Sequence, residues 1–183
     1  MMNKMVINAV AVLALGLLQQ SFIVTWPEPV SRVNLILVAT VFLLVLGSYR
    51  QALGWAFGGG LLLELFSFQL FGAQVISLLL TTWLCNLLFR NFFTNYSFYS
   101  LTVLGMIGTV LSVALLFAAR LLGAGLGVTT GPGWIGGAFL LALGWQMFIN
   151  LIVLYVLFFI FHFLIGRLRL NLPSTDMLSI DRR

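Results

Sequence analysis

Long apolar runs make up most of this sequence, and the few charged residues lie mainly near the ends of those runs. Only 7% of the residues are charged and 62% are hydrophobic, whereas a soluble domain carries about 25% charged residues. A chain with so little charge could not cover a surface that faces water. Because about 20 mostly apolar residues span a bilayer, the 183 residues have room for six spans. The composition predicts an all-α membrane protein, a bundle of six transmembrane helices.

The apolar runs and the breaks between them give the predicted domain organisation. The expected spans cover residues 5–24, 33–46, 51–68, 72–89, 98–122 and 135–165. The first run follows a positive start, as in a signal peptide, but it lacks a clear cleavage site, so we expect a retained helix. The prediction is one transmembrane domain over residues 1–166 and a polar cytoplasmic tail over residues 167–183.

The basic residues predict the orientation in the membrane, because they are enriched on the cytoplasmic side. With the N-terminus inside, only Arg32 and Arg120 of the nine Lys and Arg residues lie outside, which leaves seven inside. This asymmetry predicts a multi-pass protein with both termini in the cytoplasm. A net charge of +5 would raise the question of nucleic-acid binding in a soluble protein. Here the basic residues are topology signals, and we expect no nucleic-acid partner.

Residues 47–95 form the stretch around which we expect the rest of the chain to be organised. Two apolar runs meet there at a short turn that contains Ser67 and Gly72, so they should form an antiparallel helical hairpin. Arg50 and Arg90 lie at the two ends of the hairpin that are farthest from the turn, and they are candidate contacts on the cytoplasmic side.

Glu64 is an acidic residue inside the first helix of this hairpin. A charged side chain within a span costs about 3 kcal/mol and usually faces the protein interior. Gly60 and Ser67 share the helical face of Glu64, so we expect it to point at a close helix contact. Arg120 has the same predicted depth, and we hypothesise an ion pair between Glu64 and Arg120. The alternatives are a proton or substrate site and a carboxylate that reaches headgroup water.

Glycines cluster on two of the predicted spans and mark candidate packing, partner or pocket positions. Several of them have the small-xxx-small spacing that lets two helices approach closely in a membrane. We expect internal helix packing at these positions, with contact to another subunit as the alternative. The glycines are Gly54, Gly58, Gly59 and Gly60 in the third span, and Gly105 and Gly108 in the fifth.

No combination of residues in the sequence indicates catalysis or a cofactor. The single cysteine, Cys85, excludes an intramolecular disulfide and a metal site built from several cysteines. His162 has no second His and no acidic neighbour, so we expect hydrogen bonding rather than metal binding. Gln146 and Asn150 lie one helical turn apart and should hydrogen-bond across helices or line a polar cavity. We therefore expect a protein without enzymatic activity, metal or cofactor.

The hairpin resembles the rod shape-determining MreD family. The resemblance consists of a glycine-rich third span at residues 54–60, the acidic-leucine pair Glu64-Leu65, the turn Phe71-Gly72, an apolar span at residues 78–88, and an arginine-bearing loop at residues 89–91. The family commonly has Asp where this chain has Glu64. Outside the hairpin the match is one of hydropathy, chain length and number of spans.

The resemblance implies a fold, a role and a location. The fold would be similar to the substrate-binding S component of energy-coupling-factor vitamin transporters. The role would be that of a non-enzymatic scaffold for cell elongation and side-wall peptidoglycan synthesis in the bacterial cytoplasmic membrane. Its partners would be an MreC-like protein, the MreB cytoskeleton, RodA and a class B penicillin-binding transpeptidase.

Two other functions stay open at this point. One is an S component of a vitamin transporter, although Ala9, Ala11 and Ala14 lack the Ala-xxx-Ala spacing through which such subunits resemble one another. The other is a membrane role unrelated to either family.

Overall fold

A computed structural model describes residues 2–23, 25–28, 30–67, 71–92, 98–127 and 137–170 of the chain. These residues form helices joined by turns, and no strand occurs among them. A π-helical segment, Gln19–Ile23, continues the first helix, and a 3-10 turn, Val30–Arg32, precedes the second. The helices are α1 (Met2–Leu18), α2 (Leu35–Val45), α3 (Tyr49–Leu65), α4 (Ala73–Phe92), α5 (Phe98–Gly125) and α6 (Gly137–Leu170).

The number and order of these helices agree with the sequence-based prediction, but only some of them are long enough to cross a membrane. Three helical stretches are long and apolar enough to cross one, namely Ala73–Phe92, Phe98–Gly125 and Phe139–Phe163. The apolar parts of α1 and α2 are shorter, and α3 has 17 residues. α6 continues past the predicted domain boundary at residue 166, whereas residues 171–183 of the predicted tail lie outside the described residues.

The centre of the fold is α2, not the hairpin of α3 and α4 that the sequence led us to expect. α2 contacts each of the other five helices. Its sequence, LILVATVFLLV, is apolar on every side, which is typical of a helix that is buried all round. Its 11 residues give a length of about 16 Å, well short of the roughly 30 Å hydrocarbon thickness of a bilayer. The buried residues of α2 are Ile36, Leu37, Val38, Ala39, Thr40, Val41, Leu44 and Val45.

Three amide side chains satisfy the backbone N–H groups at the start of α2. The side chain of Asn34 accepts a hydrogen bond from the Leu37 N–H at 3.0 Å. Asn150 Oδ1 on α6 accepts from the Asn34 N–H at 3.1 Å, and Gln19 Oε1 accepts from the Ile36 N–H at 3.4 Å. The first turn of a helix lacks intrahelical partners for its N–H groups. Here the N-cap residue Asn34 and two side chains from neighbouring segments, Gln19 and Asn150, supply partners, which allows a short helix to begin inside the bundle.

Polar contacts also link α4, α5 and α6 as antiparallel neighbours. Ser77 Oγ on α4 donates to the Ser112 carbonyl on α5 at 3.1 Å. Asn150 Nδ2 donates to Thr109 Oγ1 on α5 at 3.1 Å. Asn150 thus hydrogen-bonds across helices, as predicted, and it connects α6 to both α2 and α5.

Apolar side chains occupy much of the outer surface of the bundle as well as its core. Large apolar side chains are exposed on α1, α3, α4, α5 and α6, and examples on the last two include Leu122, Leu140 and Phe159. The mainly apolar interior also contains polar side chains, most of them hydrogen-bonded. The buried polar residues are Gln19, Thr40, Glu64, Ser77, Thr81, Thr82, Ser100, Thr109, Ser112 and Asn150.

Candidate functional site

One face of α3 packs tightly against α2 and α4 through two adjacent glycines. A Cβ atom added at Gly60 would lie 2.8 Å from the Val75 Cα, which belongs to the backbone of α4. A Cβ added at Gly59 would overlap Cγ2 of Ile36, a side chain of α2 that is only 1% exposed. Real Cβ atoms do not approach other atoms so closely, so this face of α3 depends on the absence of side chains at both positions.

Glu64 lies on the same face and connects α3 to the start of α4. It is 5% exposed, and its Oε2 accepts a hydrogen bond from the Gln74 N–H at 2.8 Å. Gln74 is in the first turn of α4, where the helix dipole favours a negative charge. The other carboxylate oxygen, Oε1, is buried without a hydrogen-bond partner. The carboxylate therefore acts as a cap for α4.

The ion pair that we hypothesised between Glu64 and Arg120 does not form. Arg120 is exposed. Among the described residues, the salt bridge is between Arg32 and Glu28, at 2.8 Å, and it involves neither Glu64 nor Arg120. The hypothesis was wrong because it considered only depth in the membrane, whereas the nearest donor to Glu64 is a backbone N–H of the adjacent helix.

The turn between α3 and α4 contains the other two predicted hairpin residues. Ser67 Oγ donates to the Glu64 carbonyl at 3.3 Å and so continues the end of α3. Gly72 has a φ of 94°, a value at which glycine has no steric penalty but other residues do. Both residues therefore shape the turn into α4.

The glycines of α5 lie at contacts with three other helices. A Cβ at Gly105 would be 3.0 Å from Leu154 Cδ2 on α6. A Cβ at Gly108 would be 3.3 Å from Val41 Cγ2 on α2 and 3.4 Å from the buried Cys85 Sγ on α4. Gly105 thus adjoins α6, and Gly108 adjoins α4 and the central helix α2.

The glycines Gly54 and Gly58 lie on a different face of α3, which is open. A Cβ at Gly54 would meet no atom within 4 Å, and one at Gly58 would meet only Val12 Cγ1 of α1 at 3.4 Å. The expectation of tight helix packing at this pair is therefore wrong for Gly54. The pair has the right spacing for a close contact, but none of the described helices lies against Gly54.

A groove with a volume of about 580 Å³ runs between α1 and α3 at this open face. Val12 adjoins Gly58, and a Cβ on Gly16 would lie 2.8 Å from Leu62 Cδ1, so the two helices run parallel in register. The sequence did not predict the groove, because its existence depends on where α1 packs against α3. It is lined by Asn8, Ala9, Val12, Leu13, Arg50, Gln51, Gly54, Trp55, Gly58, Leu61, Leu62 and Leu65.

The groove is polar at one end and largely apolar along the rest of its length. Asn8, Arg50 and Gln51 line the part nearest the start of α3, and mainly aliphatic side chains line the remainder. Trp55 also lines the groove, and its Nε1 is buried without a hydrogen-bond partner. Arg50 is exposed, and Ser48, the residue before α3, makes no side-chain hydrogen bond to the first turn of the helix. The groove therefore has a positive end and an apolar body.

The remaining predicted residues lie apart from the groove. Arg90 is exposed in the last turn of α4, at the end of the hairpin where α3 begins. His162 is exposed and stacks on Phe158 with ring centroids 6.3 Å apart. Within the described ranges, no three His, Cys, Asp or Glu residues are close enough together to hold a metal ion.

Comparisons with family models, with curated proteins and with solved structures found no match to this chain.

Proposed function

We propose that this chain is a multi-pass protein of the bacterial cytoplasmic membrane and acts as a non-enzymatic, MreD-like scaffold of the cell-elongation complex. The membrane placement is supported by the many large apolar side chains exposed on the outside of the bundle and by the three helices long enough to cross a bilayer. In this proposal all six helices lie in the membrane and both termini face the cytoplasm. α2 is shielded from lipid by its neighbours.

The resemblance to the MreD family carries the proposed role, and the geometry of the hairpin supports it. Gly60 lies against the backbone of α4, Glu64 accepts a hydrogen bond from the first turn of α4, and Gly72 is in the turn between the two helices. Gly60, Glu64 and Gly72 thus belong to one packed unit, whereas Gly54 and Gly58 of the same resemblance lie at the open face. An Asp at position 64, as is common in the family, would offer the same kind of acceptor.

The proposed partners meet two different surfaces. Arg50 and Arg90 are exposed at one end of the hairpin, where they would face a cytoplasmic partner such as MreB. The exposed apolar side chains of α4, α5 and α6 would contact membrane partners, namely an MreC-like protein, RodA and a class B penicillin-binding transpeptidase.

The groove is the observation that favours the alternative function, an S component of a vitamin transporter. Its volume of 580 Å³ lies within the range of small-molecule sites, about 300–1,000 Å³. Vitamins carry several polar groups, however, and the charged and amide side chains of the groove lie only near the start of α3. For this reason the scaffold is the stronger proposal.

Co-purification from membranes of a rod-shaped bacterium tests the proposed function. A tagged full-length chain should recover MreC-like and RodA-like proteins, and depletion of the chain should turn rods into spheres. The charge-reversed variant Arg50→Glu/Arg90→Glu should lose cytoplasmic partners and retain membrane partners. Recovery of an ATPase pair together with a bound vitamin would overturn the scaffold role in favour of the transporter.

A further inference from the structure

We propose that the groove between α1 and α3 binds an anionic phospholipid, with one acyl chain along the groove and the phosphate at its Arg50 end. The proposal rests on the membrane placement argued above but not on any particular protein partner. Its basis is the combination of an apolar channel and a positive end in one continuous site.

The dimensions of the groove suit an acyl chain. From Arg50 to Leu65 the groove extends about 22 Å along α3, at 1.5 Å per residue. The roughly 30 Å hydrocarbon core of a bilayer is two acyl chains thick. A groove of this length is therefore long enough for one acyl chain.

Glycines create this channel without being required for packing. A Cβ at Gly54 would meet no atom within 4 Å, and one at Gly58 would meet only Val12 Cγ1. Larger side chains at these positions would project into the channel. The aliphatic side chains of Leu61 and Leu62 on α3 and Leu13 on α1 provide its apolar walls.

The charge at one end determines which lipid would be preferred. Arg50 and Gln51 lie in the first turn of α3, whose N-terminal N–H groups receive no side-chain cap from Ser48. A helix N-terminus beside an arginine attracts a phosphate group, and the amide of Asn8 adds a further donor at the same end. A zwitterionic headgroup would gain less from this end because it carries a positive charge of its own.

Native mass spectrometry of the full-length protein tests the proposal. The protein is purified in a mild detergent, delipidated, and given equal amounts of phosphatidylglycerol and phosphatidylcholine with identical acyl chains. We expect one bound lipid per chain, with phosphatidylglycerol in excess. Gly54→Leu should abolish binding of both lipids. Arg50→Gln should lower the preference for phosphatidylglycerol roughly fivefold, the order expected for the loss of one arginine at a membrane surface.

Each test variant has a matched control elsewhere in the chain. Gly144→Leu on α6 also places a leucine where a Cβ meets no atom within 4 Å, but outside the groove. Arg90→Gln removes an exposed arginine from the same end of the hairpin. Both control variants should bind lipid as the wild type does.

Equal lipid binding by Gly54→Leu and Gly144→Leu would overturn the proposal, as would an absence of lipid on the wild type. It would also be overturned if the wild type from native membranes carried a stoichiometric polypeptide that Gly54→Leu alone displaced. Resistance of the chain to alkaline extraction from membranes is measured in parallel. A chain that is extracted contradicts the proposed membrane function itself, whereas a retained chain without lipid contradicts only the groove assignment.

Discussion

Glycines on two faces of α3 have very different surroundings, although all of them lie between residues 54 and 60. Gly59 and Gly60 touch a side chain of α2 and the backbone of α4, and a methyl group at either position would collide with its neighbour. Gly54 adjoins open space, and Gly58 touches a single side chain of α1 at an ordinary distance. One face is therefore a helix contact, and the other is the side of a groove.

The difference shows that the spacing of small residues does not by itself identify a helix contact. Gly54 and Gly58 have the small-xxx-small spacing, yet they lie at the open face. The tight contacts occur at adjacent positions, because α2 approaches α3 at Gly59 and α4 approaches it at Gly60. Substitutions at these glycines should change the free energy of unfolding by different amounts and in different directions.

The largest effect is expected for Gly60→Ala on the packed face. Its new methyl group would meet the Val75 Cα, and a backbone atom cannot move aside without separating α3 from α4. Overpacking of this kind should lower the free energy of unfolding by about 3 kcal/mol. Titration with SDS in mixed micelles measures the change. A loss below about 0.5 kcal/mol, within the range of ordinary surface substitutions, would show that the contact is looser than the structure indicates.

The second-largest effect is expected for Gly59→Ala, which should lower the free energy of unfolding by about 2 kcal/mol. The clash here is with the side chain of Ile36 alone, so a smaller residue on α2 should relieve it. Ile36→Ala will itself be destabilising because it removes a buried side chain. The double variant should be more stable than the sum of the two single changes predicts, by about 1 kcal/mol or more. If the two changes in free energy were strictly additive, Gly59 and Ile36 would not be in contact, which would contradict the structure.

A smaller effect is expected at Glu64, the polar member of the packed face. Glu64→Leu removes the acceptor for the Gln74 N–H and should cost about 1 kcal/mol, the order measured for hydrogen bonds between membrane helices. Glu64→Gln retains a side-chain oxygen and should be close to the wild type. Arg120→Gln should leave stability unchanged, because Arg120 is exposed and does not pair with Glu64. Equal losses for Glu64→Leu and Arg120→Gln would restore the ion-pair hypothesis.

The smallest effect is expected on the open face and has the opposite sign. Gly54→Ala adds a methyl group that meets no atom within 4 Å, and alanine is the better helix former by up to about 1 kcal/mol. The free energy of unfolding should stay the same or rise slightly. A clear loss of stability would mean that a helix or another chain packs against this face.

Much of the helical architecture follows from the sequence. Charge-poor apolar runs, broken by Pro27 and by the turn at Gly72, gave the order and approximate limits of the helices. The central position of α2 was also signalled in principle, since LILVATVFLLV is short and has no polar face. The hairpin contains the more unusual residues, but unusual residues do not determine which helix lies at the centre.

The partners of individual side chains did not follow from the sequence. Glu64 was matched to Arg120 by depth, but the actual donor is a backbone N–H of the next helix. Every residue except proline has a backbone N–H, so no sequence pattern shows which of these groups will donate a hydrogen bond to Glu64. The groove depends on how α1 is placed against α3, and Gly54 looks the same in sequence whether or not a helix covers it.

The free energies of unfolding of Gly60→Ala and Gly54→Ala, measured side by side in one lipid composition, test the central claim most directly. The two substitutions add the same methyl group to the same helix, so differences in helix propensity largely cancel. The structure predicts that Gly60→Ala is less stable than Gly54→Ala by about 3 kcal/mol or more. Equal stabilities, or a greater loss for Gly54→Ala, would contradict a packed face and an open groove on opposite sides of α3.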